Sequence, residues 1–256
     1  YVYGRWGGFL RGLAWRYVSC FYRRCTVVTT PSNPMRDVLV DRRLENVHVV
    51  SNALNVDLFS PQDRPPNQDP VILYVGRLGR EKKIVVLIDA APRILKESPR
   101  ATFRVVGRGV QEKLYEGMVQ KKGLNGNFRF DHYLSPPDLV DAYRGCDVFV
   151  IPSDTETQGL VALEAMACGK PVVGADAGGL KDVITPEVDG YRFAPGSSEE
   201  LARCVLSLLA DESLRQRMGA SARQKAEGFS QTKISKQWMD LYSSLLAGGG
   251  QRPTSP

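Results

Sequence analysis

The chain has 256 residues, enough to bury a sizeable core in one large domain or two smaller ones. An apolar share of 43% and a charged share of 24% fit an ordinary soluble globular protein. The net charge of +6 suits an anionic ligand or membrane surface without arguing for nucleic acid. The five cysteines (Cys20, Cys25, Cys146, Cys168, Cys204) lack paired spacing and sit mostly in apolar runs, so reduced thiols in a cytosolic protein are expected. With two histidines, His48 and His132, and no Cys/His cluster, a zinc site is not expected.

Residues 1–24 hold eight aromatic residues and five arginines, and the first acid is Asp37. A helix over 6–22 places Trp6, Leu10, Leu13, Ala14, Tyr17 and Phe21 on one stripe, with Arg11, Arg16 and Arg23 off it. Such a stripe either packs into its own domain or lies on an anionic membrane surface. No apolar run reaches the ~18 residues of a spanning helix, and no signal peptide is legible. Cys25–Thr30 reads as a strand. Ser32 or Asn33 caps a helix from Pro34 to Val40. Val47–Val50 is a further strand, and the stretch after Ser60, rich in Pro, Asn and Asp, is the best linker in the chain.

Beyond it, strands and helices alternate. Strands are expected at 71–75, 102–106, 127–130, 148–151, 172–173 and 191–193. Helices are expected at 84–95, 110–121, 136–143, from Gly159 to Gly169, at 180–184 and at 198–209. This alternation specifies a parallel sheet covered on both faces. Helices over 211–227 and 230–246 close the chain, and the tail 247–256 reads as disordered.

In an open parallel sheet, ligands bind beyond the carboxyl ends of the strands. The loops there are GRLGREKK (76–83), GRG (107–109), DHYL (131–134), the loop carrying Glu156, and GADAGG (174–179). Gly159, at a strand-to-helix turn, leaves backbone N–H groups bare for a phosphate. Arg77 and Lys82 face that cradle with a planar fork and a mobile point charge. Glu164, one turn into the helix, is placed to accept ribose hydroxyls. Glu156 is placed for sugar hydroxyls. Together these features point to a sugar nucleotide. A hydrolase with paired carboxylates is the rival chemistry, but it leaves the anion cradle and the cations idle. His132 reads as a polar turn residue.

The segments GRLGREK (76–82), VGRG (106–109) and ETQGLVALEAMACGKPVV (156–173), with Glu156 and Glu164 as Glu-(x)7-Glu, resemble retaining glycosyltransferases of family 4. SNALNVDLFSP (51–61) is similar to that family's stretch before the donor domain. The resemblance implies an α/β fold of GT-B type, with a complete C-terminal Rossmann-like donor domain behind a truncated N-terminal Rossmann-like domain. It implies transfer of a hexose from a UDP-sugar or GDP-sugar to a hydroxyl acceptor with retention, and no cofactor or metal. Arg77, Lys82 and Glu156 would be catalytic. Gly76, Gly107, Gly109, Tyr133, Leu134, Thr157, Gln158, Gly159, Leu160, Val161 and Glu164 would bind the donor. The chain departs from the family pattern at Lys83 (often Gly), Val110 (often Pro), Ala53 (usually Gly) and Asp131-His132.

The expected divisions are 1–60 as the end of an acceptor domain, 61–70 as linker, 71–229 as donor domain, 230–246 as a closing helix and 247–256 as tail. Sixty residues are too few for a doubly wound domain, at roughly 30 per strand-helix repeat, so acceptor recognition is expected to lie mainly outside this sequence. The Thr155–Gly159 form of the motif and the aromatic, basic start are similar to enzymes that glycosylate membrane lipids such as diacylglycerol. The expected location is therefore the cytoplasm, peripheral to a membrane. The alternatives are a non-catalytic nucleotide-sugar-binding remnant and a GT-B-like sugar-nucleotide epimerase.

Overall fold

The computed structural model describes residues 5–247, with side chains from residue 12 onward. Six strands form one parallel sheet: β3 (Val71–Val75), β4 (Thr102–Val106), β5 (Phe128–Asp131), β6 (Val148–Ile151), β7 (Val172–Ala175) and β8 (Gly190–Phe193). Their spatial order is β5-β4-β3-β6-β7-β8, and every pairing is parallel. The chain winds outward from β3 to β5, then returns to the other side of β3 and winds outward again to β8. The order therefore reverses between β3 and β6, and the loops after those two strands part there to leave a crevice.

Helices cover both faces because the central strands are apolar at every position, as a sheet buried on both sides requires. On one face Ile72, Tyr74, Phe103, Val105 and Val150 pack with α3 (Ile84–Glu97), α4 (Glu112–Lys121) and α8 (Ser198–Ala210). The other face joins Leu73, Phe149 and Ile151 to α5 (Pro136–Arg144), α6 (Leu160–Ala167) and α9 (Glu212–Ala226). Leu54 and Phe59 enter this second core. They are held by Arg223 of α9, whose Nη1 donates to the carbonyls of Val56, Phe59 and Ala167 at 2.9–3.0 Å.

Ahead of this sheet, β1 (Val28–Thr30) pairs in parallel with β2 (Val47–Val49), flanked by α1 (Arg5–Tyr22) and α2 (Asn33–Val40). A small cluster of Val28, Leu39 and Leu44, with Trp15 and Tyr22 against it, holds these elements together. The amphipathic stripe of α1 does not supply that packing: Leu13, Tyr17 and Phe21 are 56%, 79% and 62% exposed. The helix is anchored from its other side, where the Arg42 guanidinium lies 4.8 Å from the Trp15 ring centre. Trp6, Leu10 and Arg11 fall outside the described side chains, and residues 248–256 of the tail fall outside the described chain. Among the described residues, no helix is long and apolar enough to cross a membrane.

Two local departures from the sequence reading have identifiable causes. Helix α4 begins at Glu112 rather than Val110, because Gln111 N–H bonds to Leu78 C=O at 2.9 Å and keeps the preceding residues in a turn. Val110 is 92% exposed there, an apolar residue without a core role. Arg80–Lys82 forms a short 3-10 turn that ends at Lys83, whose φ of +54° is left-handed. That conformation costs a residue with a β-carbon about 1 kcal/mol and costs glycine almost nothing, a physical reason for the glycine common at this point of the family motif. Lys83→Gly should therefore raise unfolding stability by up to ~1 kcal/mol, less the unfolded-state entropy that glycine adds. Urea unfolding measures it, and a loss of stability would show that the Lys83 pair with Asp154 outweighs the backbone term.

Candidate functional site

Two adjoining cavities that share Val75 and Gly76 open beyond the strand ends, one on each side of β3. The wider one, about 390 Å³, lies over the ends of β3 and β4, with Arg77, Gly107, Tyr133, Leu134 and Leu139 in its walls. The narrower one, about 190 Å³, lies over β3 and β6 and is bounded by Lys82, Glu156, Asn52 and the backbone from Thr157 to Val161. Of the residues singled out in the sequence, Gly76, Lys82, Glu156, Thr157, Gln158, Gly159, Leu160 and Val161 meet in the narrower cavity. Gly76, Arg77, Gly107, Tyr133 and Leu134 meet in the wider one. Gly109 and Glu164 are not among the residues lining either cavity.

The first loop is fixed by its neighbours. Gly76 N–H donates to Val106 C=O at 3.0 Å, and Leu78 N–H donates to Arg108 C=O at 2.8 Å. A β-carbon on Gly107 would collide with the Gly76 carbonyl, so this close approach of two backbones requires glycine. From below, the Tyr74 hydroxyl donates to Arg77 C=O and the Tyr115 hydroxyl to Gly79 C=O, each at 3.0 Å. Burial, followed by the charge of nearby Glu156, pushes the Tyr74 phenol far above its ordinary value, so it stays protonated and remains a donor.

The loop after β6 is pinned from three sides. Ser153 is fully buried, and its hydroxyl bonds to Glu81 C=O at 3.4 Å. Gly179 N–H donates to Glu156 C=O at 2.7 Å. The third contact comes from the segment ahead of the large sheet. There the Ser32 hydroxyl donates to Thr157 C=O at 2.5 Å, and Asn33 N–H donates to the Asp182 carboxylate at 2.6 Å. Ser32 does occupy the N-cap position of α2, but its side chain makes no cap. Gln158 is 3% exposed and engaged with Asn52: Oε1 accepts from Asn52 N–H and Nδ2 at 2.9 and 2.7 Å, while Nε2 donates to Asn52 C=O at 3.2 Å. Its amide faces the segment before the linker, and only its backbone remains for a ligand.

Gly159 opens α6 with φ +91°, a conformation that turns the chain from the loop into the helix and favours glycine. The first N–H groups of α6 are thereby left without helical acceptors at the mouth of the narrower cavity. Across from them, Lys82 Nζ and Glu156 Oε1 lie 2.7 Å apart, with side chains 20% and 13% exposed. Arg77 is differently placed: its side chain is 80% exposed and meets Glu81 at 3.4 Å, and it borders the wider cavity from the rim. His132, also at the wider cavity, has Nδ1 2.8 Å from Glu112. Glu164 is the one charged residue of α6, and its Oε2 accepts the Tyr143 hydroxyl at 2.6 Å. Burial raises the Glu164 pKa, and the Tyr143 hydrogen bond partly offsets that rise.

A helix N-terminus, a cation paired with a carboxylate, and a second carboxylate on the helix lie at the switch point of a doubly wound sheet, groups that suit phosphate and hydroxyls chemically. Residues 55–225 match the family model of glycosyl transferases group 1, and the chain belongs to that family. It is 32% identical over 232 residues to D-inositol 3-phosphate glycosyltransferase of Corynebacterium glutamicum, covering 83% of this chain and 56% of that protein. It is 31% identical over 235 residues to sulfoquinovosyl transferase SQD2 of Arabidopsis thaliana, covering 84% and 44%. Among solved structures, sucrose-phosphate synthase from Thermosynechococcus elongatus superposes with a TM-score of 0.83 at 28% identity, covering 92% of this chain and 62% of that one. Anabaena Alr3699/HepE in complex with UDP-glucose superposes at 0.82 and 25% identity, covering 90% and 67%. The fold is thus the α/β parallel-sheet fold of GT-B glycosyltransferases. The chain spans about half the length of the curated relatives it matches.

Glu164 lends itself to a test that separates stability from binding. With its pKa raised in the fold, the folded state binds the proton more tightly than the unfolded chain does. The carboxylate therefore costs stability increasingly as pH rises above the ordinary value of 4.5. Glu164→Gln, which keeps an acceptor for Tyr143, should raise the Tm at pH 8 relative to wild type. The difference should shrink toward pH 4.5, and a Tm gain independent of pH would contradict this account.

Proposed function

We propose that this chain carries the donor half of a retaining glycosyltransferase that moves a hexose from a nucleoside-diphosphate sugar, a UDP-sugar, to a hydroxyl acceptor. The observation that carries the reading is the Lys82–Glu156 pair facing the N-terminus of α6 across a narrow cavity that continues into a wider one at Gly76. The wider cavity has room for the nucleoside, the narrower for diphosphate and sugar. Binding of UDP-glucose by the Anabaena neighbour supports uridine as the base.

In this reading Glu164 accepts the ribose hydroxyls, and Glu156 accepts hydroxyls of the transferred sugar. Lys82, the α6 N–H groups and Arg77 from the rim hold the diphosphate. The acceptor oxygen bonds to the anomeric carbon as the bond to the diphosphate breaks, and the acceptor proton passes to the departing diphosphate on the same face. The residues around the diphosphate act by stabilising the charge that grows on it, an interaction stronger in the transition state than in the ground state. Residues 1–60 belong on this reading to the acceptor side, 71–229 form the donor domain, and 230–246 form the helix that closes it. The acceptor is proposed to be a membrane lipid such as diacylglycerol, met at the cytoplasmic face of a membrane. The exposed Leu13, Tyr17 and Phe21 of α1, with arginines beside them, support that placement.

Titration calorimetry with UDP, UDP-glucose and GDP-mannose tests the donor. The uridine ligands should bind at least tenfold tighter than GDP-mannose, and the reverse order would overturn the base assignment. Lys82→Ala should lower turnover at least tenfold, with retention read from the anomeric configuration of the product by NMR. Unchanged turnover would remove Lys82 from the mechanism, and an inverted product would remove the same-face step.

A further inference from the structure

The buried phenol of Tyr143 has no part in the chemistry above, yet its position is more constrained than packing demands. Tyr143 is wholly buried. Phe59 meets its ring edge-on at a centroid distance of 5.8 Å, and Phe149 of β6 lies tilted at 5.6 Å. A phenylalanine would fill this aromatic slot equally well. The hydroxyl is the part that needs a reason, because a phenol oxygen taken out of water without a partner costs stability. Its partner is Glu164 Oε2, at 2.6 Å.

We propose that Tyr143 is the positioning residue for ribose recognition: by holding Oε2 of Glu164, it fixes the carboxylate plane and presents Oε1 to the ribose diol. The inference rests on the reading of Glu164 as the ribose acceptor. A glutamate on a helix has three side-chain torsions, and a carboxylate free to rotate would lose most of the directional advantage of accepting two hydroxyls at once. The aromatic slot removes that freedom at one remove, since the ring cannot turn without displacing Phe59 or Phe149. The bond also acts on charge. Burial among the aliphatic side chains of α6 favours the neutral acid, whereas the Tyr143 donor favours the carboxylate, which is the better acceptor for sugar hydroxyls. One hydroxyl thus orients the carboxylate from the neighbouring helix and offsets part of the pKa rise that burial causes.

The test compares binding of uridine diphosphate with that of 2′,3′-dideoxyuridine diphosphate to the intact chain, with the guanosine pair run in parallel. Wild type should prefer the ribose form at least tenfold. Tyr143→Phe should shrink that preference at least fivefold and change dideoxy affinity by less than twofold. In the Glu164→Gln background, Tyr143→Phe should shrink it no further. Equal losses for both nucleotides, or a fall in Tm with the preference intact, would reduce Tyr143 to a packing role and overturn the proposal. A wild type without preference for ribose, matched by an unaffected Glu164→Gln, would instead overturn the underlying assignment of Glu164.

Discussion

The burial of α6 is the constraint on which the site depends. Ala162, Leu163, Ala165, Met166 and Ala167 are all fully buried, which lets the helix run through the interior beside β6 and β7 with one end at the crevice. An interior helix cannot slide or tilt without opening voids, so the bare N–H groups at its start keep a fixed place at the crevice. The same burial leaves Glu164 as the one charge on the helix, and makes its phenolic partner necessary. The affinity of the terminus for an anion and the awkwardness of Glu164 thus have a single origin.

Around this fixed element the strand-end loops are joined mostly by backbone contacts. The loops after β3 and β4 are joined by bonds from Gly76 to Val106 and from Leu78 to Arg108, and the loop after β6 is joined to the 174–179 loop through Gly179. Contacts of this kind need small residues and leave side chains free, which is why Lys82 and Glu156 can face each other across the cavity. The tyrosines under these loops hold the backbone by single hydroxyl bonds, without filling the crevice.

Much of this was legible in the chain. Strands 71–75 and 148–151 stand at the expected residues because continuous apolar runs bounded by Gly, Pro or Asp admit few other readings in an α/β alternation, and 102–106 stands there through its β-branched and aromatic residues ahead of Gly107. The convergence of Lys82 with Glu156 and Gly159 followed from the loops sharing one sheet end. What was not legible depends on partners distant in sequence. Ser32 and Asn33 carry a helix-cap pattern, yet their polar groups reach residues more than 120 positions away. Gln158 sits inside the Glu-(x)7-Glu motif, yet its amide serves Asn52. The roles of Tyr74, Tyr115 and Tyr143 were hidden because a tyrosine in an apolar run looks like any other core aromatic. The start of α4 was misplaced because Val110 is apolar and nevertheless exposed.

The engagement of Gln158 by Asn52 and of Thr157 by Ser32 limits how the molecule can flex. These bonds tie the small two-stranded unit to the two residues that lead into α6, while Arg223 moors the chain between them at Val56 and Phe59. A pivot inside the Pro-rich stretch after Ser60 would therefore have little effect, since Ser32, Asn33, Asn52, Val56 and Phe59 are already bonded to residues of the large-sheet domain. A swing of the two-stranded unit must tug on Thr157 and Gln158, so its displacement is transmitted to the peptide groups at the edge of the narrower cavity.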